Sequence, residues 1–526
     1  MRLVFLSLLI SCFQLASAQS NIDVLHYQFN IGLNDANDSL HGVAIIKFRV
    51  QERTNMISFD LGSIDKKGKG MIVTSVESND PKKLKPAFDL ENDKLIIKGN
   101  EFKKDEVSTF IISYKGIPAD GLIISKTKYG RRSFFADNWP DRGHNWIPCH
   151  DDPADKASVE FIVTAPGHYK VVANGIQLEE KKLANGFTTT HWKEDVPIST
   201  KVMVIGVAEF AVDLAGKVNG NIPVYSWVYP ENKEKGFYDY ALAKDILPFF
   251  IDRVGPYGYK KLANVQSKTR FGGLENANTI FYAENSVTGT RECENLLTHE
   301  IAHQWFGNMA TEKSFGHVWL SEGFATYFTI LYVENKYGKD KAAGMLKEDR
   351  NEVIAFSKES DKAVVDTAEQ NYMRLLNANS YQKGGWVLHM IRKELGDSVF
   401  WRSIRKYYAE YGGSVADTRD LQKVIETVSG KNLNQFFNQW LYTPGQPMLD
   451  ISWRYDEVEK IVYIEGKQLQ KNVFHFPLSL KIDNTKEKYF IDSGSFSFKI
   501  KADRKPASVV ADPDTELLAG ITIKEK

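Results

Sequence analysis

The chain has 526 residues, with 67 Lys+Arg against 67 Asp+Glu, 43% hydrophobic residues and 12% aromatics. That length holds about three or four domains with buried cores. Zero formal charge excludes a global pull toward nucleic acid, negative mean hydropathy excludes a polytopic membrane protein, and the apolar content excludes disorder over most of the length.

Residues 1–18 predict an export signal. Arg2 opens it, residues 3–15 are mostly apolar, and Ala16-Ser17-Ala18 offers small residues for cleavage before Gln19. The apolar run is shorter than the ~20 residues a membrane span needs. Leu9-Ile10-Ser11-Cys12 keeps open a lipid anchor on Cys12. The expected compartment is periplasmic or extracellular. Cleavage leaves Cys149 and Cys293, which make neither a disulfide scaffold nor a thiolate metal site. No later segment is apolar enough to span a bilayer.

Residues 19–212 read as β-rich. Runs at 44–50, 95–97, 109–112 and 159–163 are β-branched and aromatic, and Asn34-Asp35 and Glu91-Asn92-Asp93 are turn clusters. A last strand is expected at 201–212. Residues 213–445 turn helical, with apolar residues three and four apart over 238–254, 291–306, 322–337, 341–357 and 381–395. Gly307, Gly338 and Gly396 follow as stops. Residues 446–526 return to alternation, as at 461–464 and 496–500. The order is β, then mainly α, then β.

The chemistry concentrates in Thr298-His299-Glu300-Ile301-Ala302-His303. Histidines four apart share one helical face and present two imidazoles, good zinc ligands at about 2.0–2.1 Å. Glu300 stands about 100° further round, suited to reach a water beside the metal. Thr290 is the expected N-cap of this helix. A third ligand is expected from Glu322, at the start of the next helix, giving a His₂Glu site for one zinc ion with its fourth position open, as in catalytic zinc. Glu300 would then act as general base toward that water.

These residues and their surroundings resemble the aminopeptidase N family of gluzincin metallopeptidases, which includes the leukotriene-hydrolase branch. The resemblance runs from about residue 25 to the end. Phe271-Gly272-Gly273-Leu274-Glu275-Asn276 is similar to the family's Gly-x-Met-Glu-Asn exopeptidase motif, with Leu274 in place of Met. The match implies that Glu275 binds the substrate's α-amino group, while the backbone from Gly272 to Asn276 lines the peptide. Tyr381-Gln382-Lys383-Gly384 resembles the family's Tyr-x-Lys-Gly and implies Tyr381 as oxyanion donor. Pro148-Cys149-His150-Asp151-Asp152-Pro153 and residues 436–441 resemble further, structural motifs. The implied architecture is multidomain α+β: an N-terminal β saddle, a thermolysin-like, mainly helical catalytic domain, and a small β-sandwich-like C-terminal domain.

Three departures stand out. Trp139 occupies the position ten before Cys149, where the family usually has a Glu or Gln as second amine anchor. Asp137, Asn138 or a looser demand for an N-terminus are the alternatives. His317 stands where many relatives have Asp, and His150 is expected to make a local hydrogen bond. The family's large C-terminal helical domain is expected to be absent, leaving a cleft open to longer peptides. The expected function is a secreted zinc aminopeptidase acting on peptides with free N-termini. An endopeptidase and a catalytically idle peptide-binding scaffold are the alternatives. Nothing in the sequence sets an oligomeric state.

Overall fold

The computed structural model describes residues 21–79 and 86–526. The expected export signal at 1–18, with Cys12, lies outside the described residues. Within them, no helix is long and apolar enough to cross a membrane.

In the N-terminal region, alternating residues build a seven-stranded sheet ordered 176–182, 187–199, 156–166, 22–32, 40–50, 107–117, 70–78. Lys156–Pro166 shows why. Every second side chain is buried, so Val159, Phe161 and Val163 face the core while their neighbours face outward. Phe161 sits beside Phe29 on the parallel neighbour Ile22–Gly32 and beside Trp192 on the antiparallel Phe187–Ser199. The turn expected at 91–93 joins Ala87–Glu91 to Lys94–Phe102, with Asn92 and Asp93 at φ 51° and 60°. Both residue types tolerate that left-handed conformation, which a two-residue hairpin turn demands.

The strand expected at 201–212 is not formed as one piece. Thr200–Val202 is a 3₁₀ turn, Ile205–Ala208 joins a four-stranded sheet, and Ala211–Val218 already pairs with Ile222–Val228 in the sheet of the second region. Lys201, in that turn, pairs with Glu312 of the second region, both essentially fully buried.

The second region contains a five-stranded sheet ordered 211–218, 222–228, 262–267, 279–283, 273–274. Its helices are α1 (Lys233–Tyr240), α2 (Ala243–Arg253), α3 (Glu294–Ala302), α4 (Trp319–Tyr337), α5 (Lys339–Phe356), α6 (Gly384–Leu395), α7 (Asp397–Tyr411), α8 (Thr418–Ser429) and α9 (Asn434–Leu441). The helix expected over 238–254 is therefore two. Gly338 and Gly396 end α4 and α6 with φ of 92° and 78°. α4 passes so close to the start of α6 that a Cβ on Gly323 would lie 2.8 Å from Gly384 backbone. That approach brings the turn before α6, with Tyr381, over the start of α4. Trp305, Trp319, Trp386 and Trp440 are fully buried in this region.

The C-terminal region packs a four-stranded sheet (495–501, 461–468, 448–456, 520–525) with a three-stranded one (485–491, 476–482, 509–511). Its buried faces carry Leu449, Ile451, Val462, Ile464, Leu478 and Leu480. The architecture is multidomain α+β, β-rich, then helical, then β, as expected. Cys149 and Cys293 are both free and buried.

Candidate metal centre and cleft

His299 and His303 stand one turn apart at the end of α3, and Glu322 lies in the first turn of α4. Glu322 Oε2 is 3.3 Å from Nε2 of each histidine. One ligand atom from each residue lies within 4.8 Å of the others. Four ligands at about 2.05 Å on a tetrahedron stand about 3.3–3.4 Å apart, so the two carboxylate–imidazole separations suit zinc. The nitrogen chemistry agrees. His303 Nδ1 lies 3.1 Å from the Phe306 carbonyl and 3.0 Å from Ser321 Oγ. A proton on Nδ1 given to that carbonyl leaves Nε2 free to coordinate. The residues present therefore fit a zinc ion, with His299, His303 and Glu322 as its protein ligands.

The electrostatics of the cluster are those of a cation site. The adjacent Glu322 raises His303 to about 10 despite its burial, and burial lowers His299. The two histidines together hold Glu322 far below the usual carboxylate range against its burial. A divalent ion in the same place satisfies that carboxylate with neutral imidazoles.

Glu300 is buried beside the triad, and burial raises its carboxyl well above the usual range. Its Oε1 would be 2.2 Å from a Cβ placed on Gly273. Only glycine lets the strand Gly273–Leu274 come that close to the Glu300 carboxylate. This strand lies at the edge of the five-stranded sheet and pairs on one side with Thr279–Ala283, through Leu274↔Phe281. Glu275 follows it. Its main-chain carbonyl accepts bonds from Gln304 Nε2 (3.1 Å) and Asn308 Nδ2 (2.6 Å), which fixes it against the segment that follows α3. Its Oε1 is buried with no partner. Gly272, Gly273, Leu274 and Glu275 line the cleft, while Asn276 is buried and outside the lining.

Tyr381 enters from the opposite wall. A π-helical turn at Asn379–Lys383 precedes α6, where a continuous helix from 381 was expected. Such a widened turn is a common way to aim one side chain into a site. The Tyr381 ring stacks on His299 at 5.9 Å and 10°. Burial and the carboxylates of Glu322, Glu275 and Glu300 push its phenol well up, so it stays a protonated donor.

Several expectations need correction. Thr290 does not cap α3: Cys293 is the N-cap and makes no side-chain cap bond. Asp239 holds the approach instead, accepting from the backbone N–H groups of Thr288, Gly289 and Arg291. Asp137 and Asn138 do not replace an amine anchor. Asp137, fully buried, accepts from Thr269 Oγ1 (3.1 Å), the Arg270 N–H (3.0 Å) and Arg142. Asn138 is engaged by Trp146 Nε1 and the Thr200 and Met203 carbonyls. Trp139 itself lines the cleft. As expected, His150 makes a local bond, to Asp155 at 3.0 Å; His317 bonds Thr418 at 2.9 Å, and neither belongs to the His299, His303 and Glu322 group.

Sequence reasoning missed Phe271, Leu296 and Leu376 as walls, and Ser321 as a partner of His303. Leu296 sits three residues before His299, on the same helical face, and that spacing could have found it. Leu376 has no local signal. The open space of the cleft is about 650 Å³.

Comparison with known proteins places these features in a common frame. Residues 238–440 match the peptidase family M1 domain and residues 24–202 the peptidase M1 N-terminal domain. Among curated proteins, the chain is similar to aminopeptidase M1-D of Oryza sativa, at 27% identity over 60% of this chain and 37% of that one. It is similar to probable aminopeptidase 2 of Sulfurisphaera tokodaii, at 25% identity over 70% and 49%. With aminopeptidase 2 of Candida albicans it shares 26% identity over 82% and 48%. The chain spans about half, or less, of the length of these relatives.

Proposed function

The chain belongs to the M1 family of peptidases, and we propose that it is a zinc-dependent aminopeptidase that removes residues from peptides with free N-termini. One observation carries this reading. The His₂Glu triad and Glu275, with its buried and unpartnered carboxylate oxygen, line the same cleft. A buried anion without a partner is unfavourable, and a substrate ammonium is the partner it suits. A peptide anchored there by its N-terminus places its first amide at the triad, which is the geometry of an exopeptidase.

A zinc ion held by His299, His303 and Glu322 supplies Lewis acidity and lowers the pKa of water toward ~7. The protein's own groups do the rest. Glu300 takes a proton from the attacking water and passes it to the departing amine. Tyr381 donates its hydroxyl to the oxygen anion that develops on the scissile carbonyl. The edge strand Gly273–Leu274, which lines the cleft, offers backbone groups to an extended peptide, as an added strand would use them. We also propose export to the periplasm or beyond, on the sequence of residues 1–18.

The test compares an aminoacyl chromogenic amide with its N-acetylated twin, with and without chelator. The amide should be hydrolysed, and acetylation or chelation should abolish turnover. Hydrolysis of the acetylated twin would favour an endopeptidase. No turnover with zinc bound would favour a binding scaffold.

A further inference from the structure

The amine end of the cleft has a composition that hydrolysis alone does not require. Three carboxylates line the cleft. Glu322 belongs to the triad and Glu300 serves the water, so Glu275 is the one free to take a cation. The wall contributed by the N-terminal region is Trp139, 3% exposed. It is braced edge-on by Phe271 at 6.1 Å and Phe315 at 5.8 Å. Arg142 holds the Trp139 carbonyl at 2.8 Å and also bonds Asp137, which in turn binds the backbone of Arg270 just before Phe271. The aromatic wall is thus built and fixed, and the two polar side chains before it in sequence face elsewhere.

A primary α-ammonium brings three N–H donors, and each one buried without an acceptor is unfavourable. Among the lining side chains Glu275 is the one uncommitted acceptor, and the indole supplies none for the remaining N–H groups. A secondary ammonium brings two donors and an alkyl group. That alkyl group gains apolar contact, and aromatic faces receive alkylated ammonium ions well. We propose that Trp139 makes this a one-carboxylate, aromatic-walled site that accepts peptides whose N-terminal nitrogen is a secondary amine, such as N-methylated residues, about as well as primary amines. The proposal rests on the aminopeptidase reading above and names a substrate class for the same site.

The test uses the zinc-loaded full chain. The kcat/KM values of alanyl and N-methylalanyl chromogenic amides should lie within about tenfold of each other. Calorimetric Kd values of alaninamide and N-methylalaninamide on zinc-loaded Glu300→Gln should agree to the same degree. Trp139→Gln, which adds an acceptor for a primary amine, should shift the ratio against the N-methyl compound by more than about tenfold. Trp139→Phe keeps an aromatic wall and should keep the ratio, which guards against a glutamine variant that fails to fold. Discrimination beyond tenfold by the wild type, or a ratio indifferent to a folded Trp139→Gln, overturns the proposal. If neither amide is bound or hydrolysed, the aminopeptidase reading itself fails, and this proposal with it.

Discussion

On the metal side of the cleft, His299, His303 and Glu322 stand on two packed helices of one region, and Ser321 and the Phe306 carbonyl fix His303 from behind. On the proposed amine side, Glu275 follows a two-residue edge strand and shares the cleft with Trp139, which the N-terminal region supplies. The first arrangement is short-range and rigid in itself. The second holds only while two regions stay docked. On the proposed function, the contrast assigns bond-breaking and substrate choice to different parts of the fold, so they should fail separately.

The largest expected effect strikes the metal side alone. Glu300→Gln should lower kcat by about 10²–10⁴-fold while zinc content stays unchanged, read by steady-state kinetics and elemental analysis. Next comes the docking on which the amine side depends. Lys201→Met leaves Glu312 charged and unpaired in the interior and should lower stability by about 3–5 kcal/mol. The double variant Lys201→Met, Glu312→Leu should recover most of that in a denaturant titration.

Glu275→Gln removes a charge-assisted bond of about 1.5–3 kcal/mol, which should appear in kcat/KM for free-amine substrates, with zinc affinity intact. Ser321→Ala should do the reverse. It should weaken zinc binding by roughly tenfold, read by competition with a chelator, and leave the preference between substrates unaltered.

Smallest per step is a pH dependence on the metal side. Burial lowers Lys383, two residues after Tyr381, to about 7. Above that pH the folded state sheds this proton while the unfolded chain keeps it to about 10.5, so the unfolded state binds more protons and stability rises with pH. The rise should reach up to about 1 kcal/mol per pH unit between pH 7 and 9, and Lys383→Met should flatten it in urea midpoints.

The same contrast decided what could be read from the sequence. The triad was legible because helical periodicity alone puts His299 and His303 on one face, and a single loop separates them from Glu322. The alternation in 156–166 and the turn at 92–93 were legible for the same local reason. Long-range pairing was not. Lys201 lies where an expected strand is broken, and its partner is 111 residues away. Thr290 looked like a cap, yet Asp239, on another helix, holds that turn. The π turn that carries Tyr381 runs into the close crossing of Gly323 and Gly384, which no local pattern announces. Trp139 looked like a lost anchor until its packing against Phe271 and Phe315 showed it as a wall of the cleft.

The most direct test of exopeptidase action is a mass-spectrometric time course of a decapeptide with the zinc-loaded enzyme. An aminopeptidase should give a ladder of products, each shorter by one N-terminal residue, and no products when the peptide is N-acetylated. Internal cleavage that proceeds equally well on the acetylated peptide would contradict it.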